Sequence, residues 1–289
     1  MKNKHSALNS EAAGTLSAHP PLSPSLEETV GRLRKIFNND GTLRVRIMEN
    51  SQGAPVRCGL IYVDGMVDRN LIQTGIIKPI LAYQPAEEEH RDPKVLMERI
   101  RLTVIDTPDV MVSEELDGLI GAVVSGKAVL LLEGYAGGLI INVQGWDSRA
   151  IEEPTTEKKQ CAAPREGFTE SLLVNLTLIR RRVRDPDLKI EFTEIGTRSK
   201  TQTCICYMGS LASPDIIKEL YDRLEKVELD LILDTGYLAE LIRDEPYSPF
   251  ETVGSTERPD TLVSKNHGGA GCASHRRHPF CADSSLCIR

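Results

Sequence analysis

Two periods in the spacing of apolar residues predict alternating helices and strands. Apolar residues that recur every three or four positions mark one face of a helix, and strict alternation or a short continuous run marks a strand. The predicted helices are 25–37, 69–81, 94–100, 113–126, 168–183, 213–226 and 234–243. The predicted strands are 43–49, 56–67, 188–195, 201–210 and a hairpin of 127–134 with 137–144. Segment 85–93 is expected to be a loop and 101–112 to be extended.

Small polar residues stand where four of these helices begin. Ser25, with Glu28 completing a capping box, Ser113, Thr169 and Ser213 are the predicted N-caps, because their side chains can accept a free N–H of the first turn. These signals fix the expected helix boundaries.

The fold class that follows is α/β, with two small mixed α/β subdomains joined by a short linker. The chain of 289 residues is long enough for two modest cores. We expect a disordered N-terminal tail (1–25), a first subdomain (26–149), a linker (150–163), a second subdomain (164–262) and an irregular tail (263–289).

Composition and charge exclude several classes of protein. A net charge of −7 and 4% aromatic residues argue against a nucleic-acid binder. The most apolar stretch, 128–143, contains Glu133 and three glycines, so we expect no membrane span. Cys204 and Cys206 point the same way from a predicted strand and are expected to be reduced thiols of a cytosolic protein.

Two motifs resemble catalytic signatures without their context. Gly121–Ala128 lacks the hydroxyl that a P-loop needs after its lysine, and it closes a helix instead of opening one. Asp234 opens a triplet like that of aspartic proteases, but a single copy would need a dimer to supply the second carboxylate, and helix capping is the ordinary explanation. Between residues 26 and 262 the only histidine is His90, which leaves little for imidazole catalysis.

The segment "APREGFTESLLVNLTLIRRRVRDPDLKIEF" (163–192) carries the most concentrated charge pattern. Glutamates near the start of a helix and arginines near its end match the helix dipole, so the charges need no ligand. An anion-binding site at the arginine row is the alternative. The apolar stripe of this helix is Phe168, Leu172, Leu176, Ile179 and Val183.

The same segment closely resembles the signature of the spore germination receptor A-subunit family, the GerA-type proteins of endospore-forming bacteria. The stretches 62–72, 130–154 and 246–260 resemble that family too, and the resemblance covers about residues 26–265. Ala163 departs from the glycine usual there. The motif and interaction residues that the resemblance assigns are Pro164, Arg165, Glu166, Phe168, Glu170, Asn175, Arg180, Arg181, Arg182, Thr256, Glu257, Arg258 and Pro259.

The resemblance implies a cytosolic region of two α/β subdomains that precedes membrane helices. In that family the A subunit assembles with B and C subunits and other A subunits at the spore inner membrane, in what looks like a nutrient-gated ion channel. It implies subunit interaction and signalling, with no enzyme activity and no cofactor.

Two other functions stay open. A small-ligand module could hold a germinant or a nucleotide in a cleft lined by 142–154. A hydrolase using Glu166 or Asp234 would need a second convergent carboxylate, which the spacing does not supply.

The tail after residue 265 departs from the family pattern. Codons exist for Ser274–Ser285 that, read one base later, encode Ala-Ile-Asp-Gly-Thr-Pro-Phe-Val-Leu-Thr-Val, which resembles the family's continuation. We therefore expect a frameshift that truncates the chain before the membrane domain. The cysteines and histidines of the tail are then accidental, and the alternative is a zinc site of unusual spacing.

Overall fold

Five antiparallel strands form the first sheet of this computed structural model. The structure describes residues 20–38, 40–50, 55–145, 166–169, 171–226, 230, 256, 258–267 and 285–288. The strands are β1 (Leu43–Glu49), β2 (Arg57–Val63), β3 (Val110–Ser113), β4 (Ala128–Leu132) and β5 (Gly138–Ile141). Their order across the sheet is β1-β2-β4-β5-β3. The predicted hairpin is confirmed, because β4 pairs antiparallel with β5.

Helices cover both faces of this sheet, and together they make up the first unit (residues 20–145). Its helices are α1 (Leu26–Ile36), α2 (Arg69–Leu71), α3 (Lys78–Ala82), α4 (Glu87–Arg91), α5 (Pro93–Arg99) and α6 (Leu116–Val124), with π-helical turns at Ile72–Ile77 and Ile100–Val104. Helices α1 and α6 pack on one face, whereas the segments from α2 to the second π-helical turn pack on the other. Successive residues of β4 face opposite cores, so the whole strand is buried.

A proline explains the π-helical turn within the predicted helix 69–81. Pro79 has no N–H to donate to the carbonyl of Gly75 four residues earlier. That carbonyl accepts instead from the N–H of Asp106, at 3.0 Å. The widened turn therefore joins the helix to the loop before β3.

Three local predictions are wrong. Residues 101–104, expected to be extended, continue α5 as a π-helical turn because Ile100 and Val104 both pack on the core. Part of the expected loop 85–93 is helix α4, in which the Glu89 carboxylate accepts from the N–H of Ala86. Ser113 ends β3 instead of capping α6, which begins at Leu116.

The N-caps at Ser25 and Ser213 lie where they were predicted. The Ser25 hydroxyl accepts from the N–H of Glu28 at 3.4 Å, but the capping box is only half formed. The Glu28 carboxylate binds Arg32 at 2.6 Å instead of returning to the cap.

The second unit (described residues 166–288) is built on a three-stranded antiparallel sheet with the order β6-β7-β8. Its elements are α7 (Leu172–Arg182), β6 (Leu188–Ile195), β7 (Thr201–Met208), α8 (Pro214–Glu225), α9 (Pro259–His267) and β8 (Ser285–Ile288). Helices α7 and α9 pack on one face of β6 and β7 and form a third core cluster. Tyr221 of α8 donates a hydrogen bond to Glu191, whose side chain alternates to the other face of β6.

Mixed helices and antiparallel strands confirm the predicted α/β class. Residues 1–19 of the predicted tail (1–25), the predicted linker 150–163 and the predicted helix 234–243 lie outside the described residues. The rest of the predicted tail packs on the first unit, because Leu22 is buried beside α1. Within 263–289, where we expected no regular structure, α9 runs to His267 and β8 pairs with β7. No helix in the described ranges has the length and apolar character that a membrane crossing requires.

The buried cysteines of the second sheet are free thiols, as predicted. Cys204 and Cys206 lie on one face of β7 with their Sγ atoms 3.7 Å apart. Cys58 of the first unit is also free, and burial raises the pKa of its thiol to about 12.

The P-loop-like segment Gly121–Ala128 joins the end of α6 to the start of β4. A phosphate-binding loop has the reverse order, since it follows a strand and opens a helix.

Candidate functional site

Helix α7, which carries the charged signature, lies against both units. Its apolar stripe packs as predicted, with Leu176, Ile179 and Val183 buried in the third cluster. Phe168 and Leu172 pack against the same cluster. The adjacent side of the helix, which carries Thr177 and Arg180, meets the first unit, and we call that contact the junction. The junction consists of Ile36 at the end of α1, the turns Asp40–Thr42 and Asp64–Gly65, helix α7 and residues 185–192.

Arg180 is the centre of the junction. Its guanidinium donates to the Asp40 carboxylate of the first unit at 2.5 Å, and the two side chains are 1% and 0% exposed. It also donates to the backbone carbonyls of Asp185 at 2.9 Å and Leu188 at 3.2 Å. The Asp40 carboxylate is further held by the N–H and hydroxyl of Thr42. One side chain therefore ties together three segments of the chain.

Burial has an electrostatic cost at this pair. Desolvation lowers the pKa of Arg180, and the nearby Asp40 carboxylate opposes that shift by favouring the charged form. Among the described residues, the Nε of Arg180 is buried and has no hydrogen-bond partner. Removing either member of this buried ion pair would destabilise the protein, because the other charge would be left buried and uncompensated.

Two further hydrogen bonds cross the junction. The Thr177 hydroxyl lies 3.1 Å from the carbonyl of Gly65, a residue with φ of 85° in the left-handed region. The Lys189 ammonium donates to the carbonyl of Ile36 at the end of α1, at 3.2 Å, and burial lowers the pKa of Lys189. Both bonds join polar groups at the ends of first-unit elements to the second unit.

Backbone contact at Gly41 completes the junction. The N–H of Gly41 donates to the carbonyl of Ile190 at 2.7 Å, and Asp40 forms a parallel bridge with Ile190. A Cβ atom on Gly41 would lie 2.6 Å from the ring of Phe192 and 3.1 Å from the Ile190 carbonyl oxygen. Only glycine fits this approach without displacing a neighbour.

The predicted cap at Thr169 is wrong, and Asn175 explains why. The N-cap of α7 is Ser171, two residues later. The N–H of Thr169 donates to the Asn175 side-chain oxygen at 2.7 Å, and the Asn175 amide donates back to the Thr169 carbonyl at 2.7 Å. Asn175 is buried, so this reciprocal pair fixes how the chain enters the helix.

The arginine row divides into two roles. Arg180 is buried at the junction, while Arg181 and Arg182 both bind the Glu166 carboxylate, at 3.4 Å and 2.5 Å. The row thus binds carboxylates of the same chain, which favours the structural interpretation over an anion site.

The predicted residues near the C-terminal end form a local cluster. Arg258 binds Asp260 with two hydrogen bonds, of 3.1 and 2.6 Å, and its N–H donates to the Thr256 hydroxyl. This ion pair lowers the pKa of Asp260. Pro259 is the first residue of α9. The remaining predicted residues, Pro164, Arg165, Glu170 and Glu257, lie outside the described residues, as does Asp234.

Sequence reasoning missed the first-unit side of the junction. Asp40, Gly41 and Thr177 were not singled out, because Asp-Gly pairs and helical threonines are ordinary in turns and helices. The signal that pointed to this region was the arginine row, but periodicity does not tell which arginine is buried.

The charged side chains of this site pair with one another and hold segments of the same chain together. The carboxylates of Asp40, Glu166 and Asp260 are each engaged by an arginine. Within the part of the chain that the structure describes, no three His, Cys, Asp or Glu side chains gather as metal ligands. Residues 142–145, the described part of the proposed cleft lining, pack near the turn at 66–68 through Gln144 and Gly145.

Beside the junction, an open groove of about 660 Å³ separates β1 from β6. Its walls include Arg34 and Phe37 of α1, Arg44 and Val45 of β1, and Phe192 of β6.

Comparison with known proteins gives one consistent result. The family model described as "Bacillus/Clostridium GerA spore germination protein" matches residues 31–269. "Uncharacterized membrane protein YfkQ" of Bacillus subtilis (strain 168) is 34% identical over 247 residues, covering 85% of this chain and 46% of the relative. "Spore germination protein KA" of the same organism is 31% identical over 242 residues, covering 84% and 43%. The chain spans about half the length of these curated relatives.

A solved structure shares the fold. The crystal structure of the N-terminal domain of the A subunit of the Bacillus megaterium spore germinant receptor GerK3 superposes with a TM-score of 0.64. It is 22% identical and covers 93% of this chain, which in turn covers 92% of it.

Proposed function

This chain belongs to the Bacillus/Clostridium GerA spore germination protein family, and from that membership we propose that it acts in spore germination as an interaction module of a nutrient germinant receptor. The fold shared with the N-terminal domain of a receptor A subunit supports this assignment. The module binds other receptor subunits and has no catalytic role.

In finer detail, we propose that the module works at the cytosolic face of the spore inner membrane. Its partners there are B and C subunits and further A subunits, and its docking signals to a membrane channel. Relatives named as germination proteins support this place in a receptor complex.

The proposal rests on one observation: the charged side chains of the signature pair with one another or with the first unit. Arg180 ties the two units through Asp40, while Arg181 and Arg182 hold Glu166. An enzyme would leave such groups free to meet a substrate. A docking body uses them to fix the shape of its surfaces.

Germination of spores tests the proposal directly. Spores of the organism that carries this gene, deleted for it and then complemented with the tagged chain, would be exposed to nutrient mixtures while their optical density is followed. We expect deletion to slow the response to at least one mixture, and the chain to co-purify with B and C subunits from spore membranes. Unchanged germination in every mixture, or recovery of the chain without any receptor subunit, would contradict the proposal.

A matched pair of variants separates docking from catalysis. Glu166→Gln keeps the size of the side chain but removes its charge, so a catalytic carboxylate would be inactivated and germination lost. We expect spores with this variant to germinate. Gly41→Trp, which forces the junction apart, should slow germination as the deletion does.

A further inference from the structure

The second unit repeats the plan of the first. In each unit a helix precedes a hairpin of two strands, and a later helix leads into the strand that pairs next to that hairpin. Helices α1 and α6 share one face of the first sheet, as α7 and α9 share one face of the second. The order β1-β2-β4 in the first sheet therefore corresponds to β6-β7-β8 in the second.

The register of the strand pairs shows the same correspondence. Leu43 and Leu188, the first residues of β1 and β6, each pair with a residue equally far along the chain. With these two residues aligned, residues 58–61 of β2 correspond to 203–206 of β7. These are the residues that pair antiparallel with β4 in the first unit and with β8 in the second. Strand β8 thus occupies the place of β4, in the same register.

Charge distinguishes β7 from an ordinary edge strand. The outer strands β1 and β6 carry three charged residues each, and charges on an edge strand discourage pairing with a further strand. Strand β7 (TQTCICYM) carries none, and its residues 203–206 are each 0% exposed with β8 in place. It has the composition of an interior strand, whose backbone groups need partners on both edges.

The family model includes β7 but does not reach the strand that covers it. The match spans residues 31–269, whereas β8 begins at Ser285. Strand β8 (SLCI) and strand β4 (AVLLL) share an uncharged, mostly apolar character and no common sequence. Main-chain hydrogen bonds supply most of the affinity when a strand is added to a sheet, so different sequences can fill the same place.

We propose that the second edge of β7 is a strand-acceptor site, and that residues 285–288 occupy it as a replaceable ligand supplied by the same chain. The ligand is an extended, uncharged and mostly apolar segment that runs antiparallel to β7, as β4 runs to β2. A similar strand from another molecule binds there once the tail is released. This inference goes beyond the proposed role in germination and does not depend on it.

Release of the tail tests the proposal on the full chain. The released variant carries Leu286→Pro and Cys287→Pro. Successive residues of an antiparallel strand direct their N–H groups to opposite sides, so one of the two lost N–H groups faces β7. The control carries Ala282→Pro and Asp283→Pro, before β8 begins. We expect hydrogen exchange of the amides in 203–206 to be at least about tenfold faster in the released variant and unchanged in the control, because the N–H groups that faced β8 then meet water.

A peptide added in trans tests whether the strand is replaceable. The probe is a fluorescent peptide of residues 282–289, kept reduced, and its counterpart contains both prolines of the released variant. Binding is followed by fluorescence anisotropy. We expect the probe to bind the released variant, and to bind the unchanged chain at least about tenfold more weakly, because a tethered strand competes at an effective concentration on the order of 1 mM. The proline peptide should bind neither protein.

Several results would overturn the proposal. Amide exchange is the same in the released variant and the control, the probe fails to bind the released variant or binds the unchanged chain equally well, or the proline peptide binds as the probe does. A released variant that does not fold, judged by its thermal melt, would make β8 an integral strand. Light scattering that shows a dimer for the unchanged chain and a monomer for the released variant would make the tail of a second copy the occupant.

Discussion

The Arg180 guanidinium and the Asp40 carboxylate form an ion pair that is almost completely buried between two sheets. The two residues are 140 positions apart in the chain, so this contact joins segments that are distant in sequence. Around it, Thr177, Lys189 and Gly41 contribute three more bonds between the units. The family signature therefore marks the place where the two units are joined.

Removing the arginine should destabilise the protein strongly. Arg180→Met leaves the Asp40 carboxylate buried without its cation, and such a loss costs about 3–5 kcal/mol. We expect the free energy of unfolding, from urea denaturation at neutral pH, to fall by this amount. The matched control is Arg182→Met in the same row, whose partly exposed pair with Glu166 is expected to contribute about 1 kcal/mol or less. Equal losses in the two variants would contradict a special role for Arg180.

A methyl group at Gly41 should also weaken the junction. Gly41→Ala places a carbon 2.6 Å from the Phe192 ring, and overpacking of this kind costs about 1–3 kcal/mol. Adding Phe192→Ala should recover part of the loss by making room. The control is Gly31→Ala in α1, where a Cβ meets nothing within 4 Å and should stabilise the helix by roughly 0.5–1 kcal/mol. Thermal denaturation of the four proteins checks both signs.

Asn175 should be hard to replace although it sits within a helix. Its side chain exchanges two hydrogen bonds with the backbone of Thr169 and is 1% exposed. Asn175→Leu leaves the part-buried N–H and carbonyl of Thr169 unsatisfied, which costs about 1–3 kcal/mol. Urea unfolding measures the loss. A change below about 0.5 kcal/mol, the range of ordinary surface substitutions, would show that the pair with Thr169 is dispensable.

Alkaline pH should destabilise the second unit through Tyr221. Burial, followed by the hydrogen bond to Glu191, raises the pKa of this phenol above its ordinary value of 10.0. The unfolded chain therefore loses the proton first as pH rises, and the stability present below pH 10 declines above it. The free energy of unfolding of Tyr221→Phe should fall less between pH 9 and about pH 11 than that of the unchanged chain. Parallel curves for the two proteins would contradict this reading.

Local sequence patterns predicted most strands of the first sheet. The strands β1 and β2 and the β4–β5 hairpin follow from alternation or apolar runs, because a side-chain period of two is set by the backbone itself. Errors occurred where two patterns overlap. Leu102 and Val104 alternate as in a strand, yet Leu102 is 63% exposed and only Val104 reaches the core, within a π-helical turn.

The sequence pointed to the second-unit side of the junction but not to its first-unit side. The arginine row and Asn175 stood out as parts of a signature, but their partners did not. Asp40 lies 140 residues from Arg180, and no local period links positions so far apart. Which arginine of the row is buried depends on the packing of α7 between two sheets, a tertiary property. Thr169 looked like a helix cap for the same reason, since its backbone N–H and carbonyl meet the Asn175 side chain only in the folded chain.

A double-mutant cycle at Asp40 and Arg180 tests the central claim most directly. The unfolding free energies of the unchanged chain, Asp40→Asn, Arg180→Met and the double variant give the coupling energy between the two side chains. If the pair joins the two units, each single loss should be large, and the coupling should reach about 2 kcal/mol or more, as for groups in one buried network. A coupling below about 0.5 kcal/mol, the value for independent sites, would contradict the account.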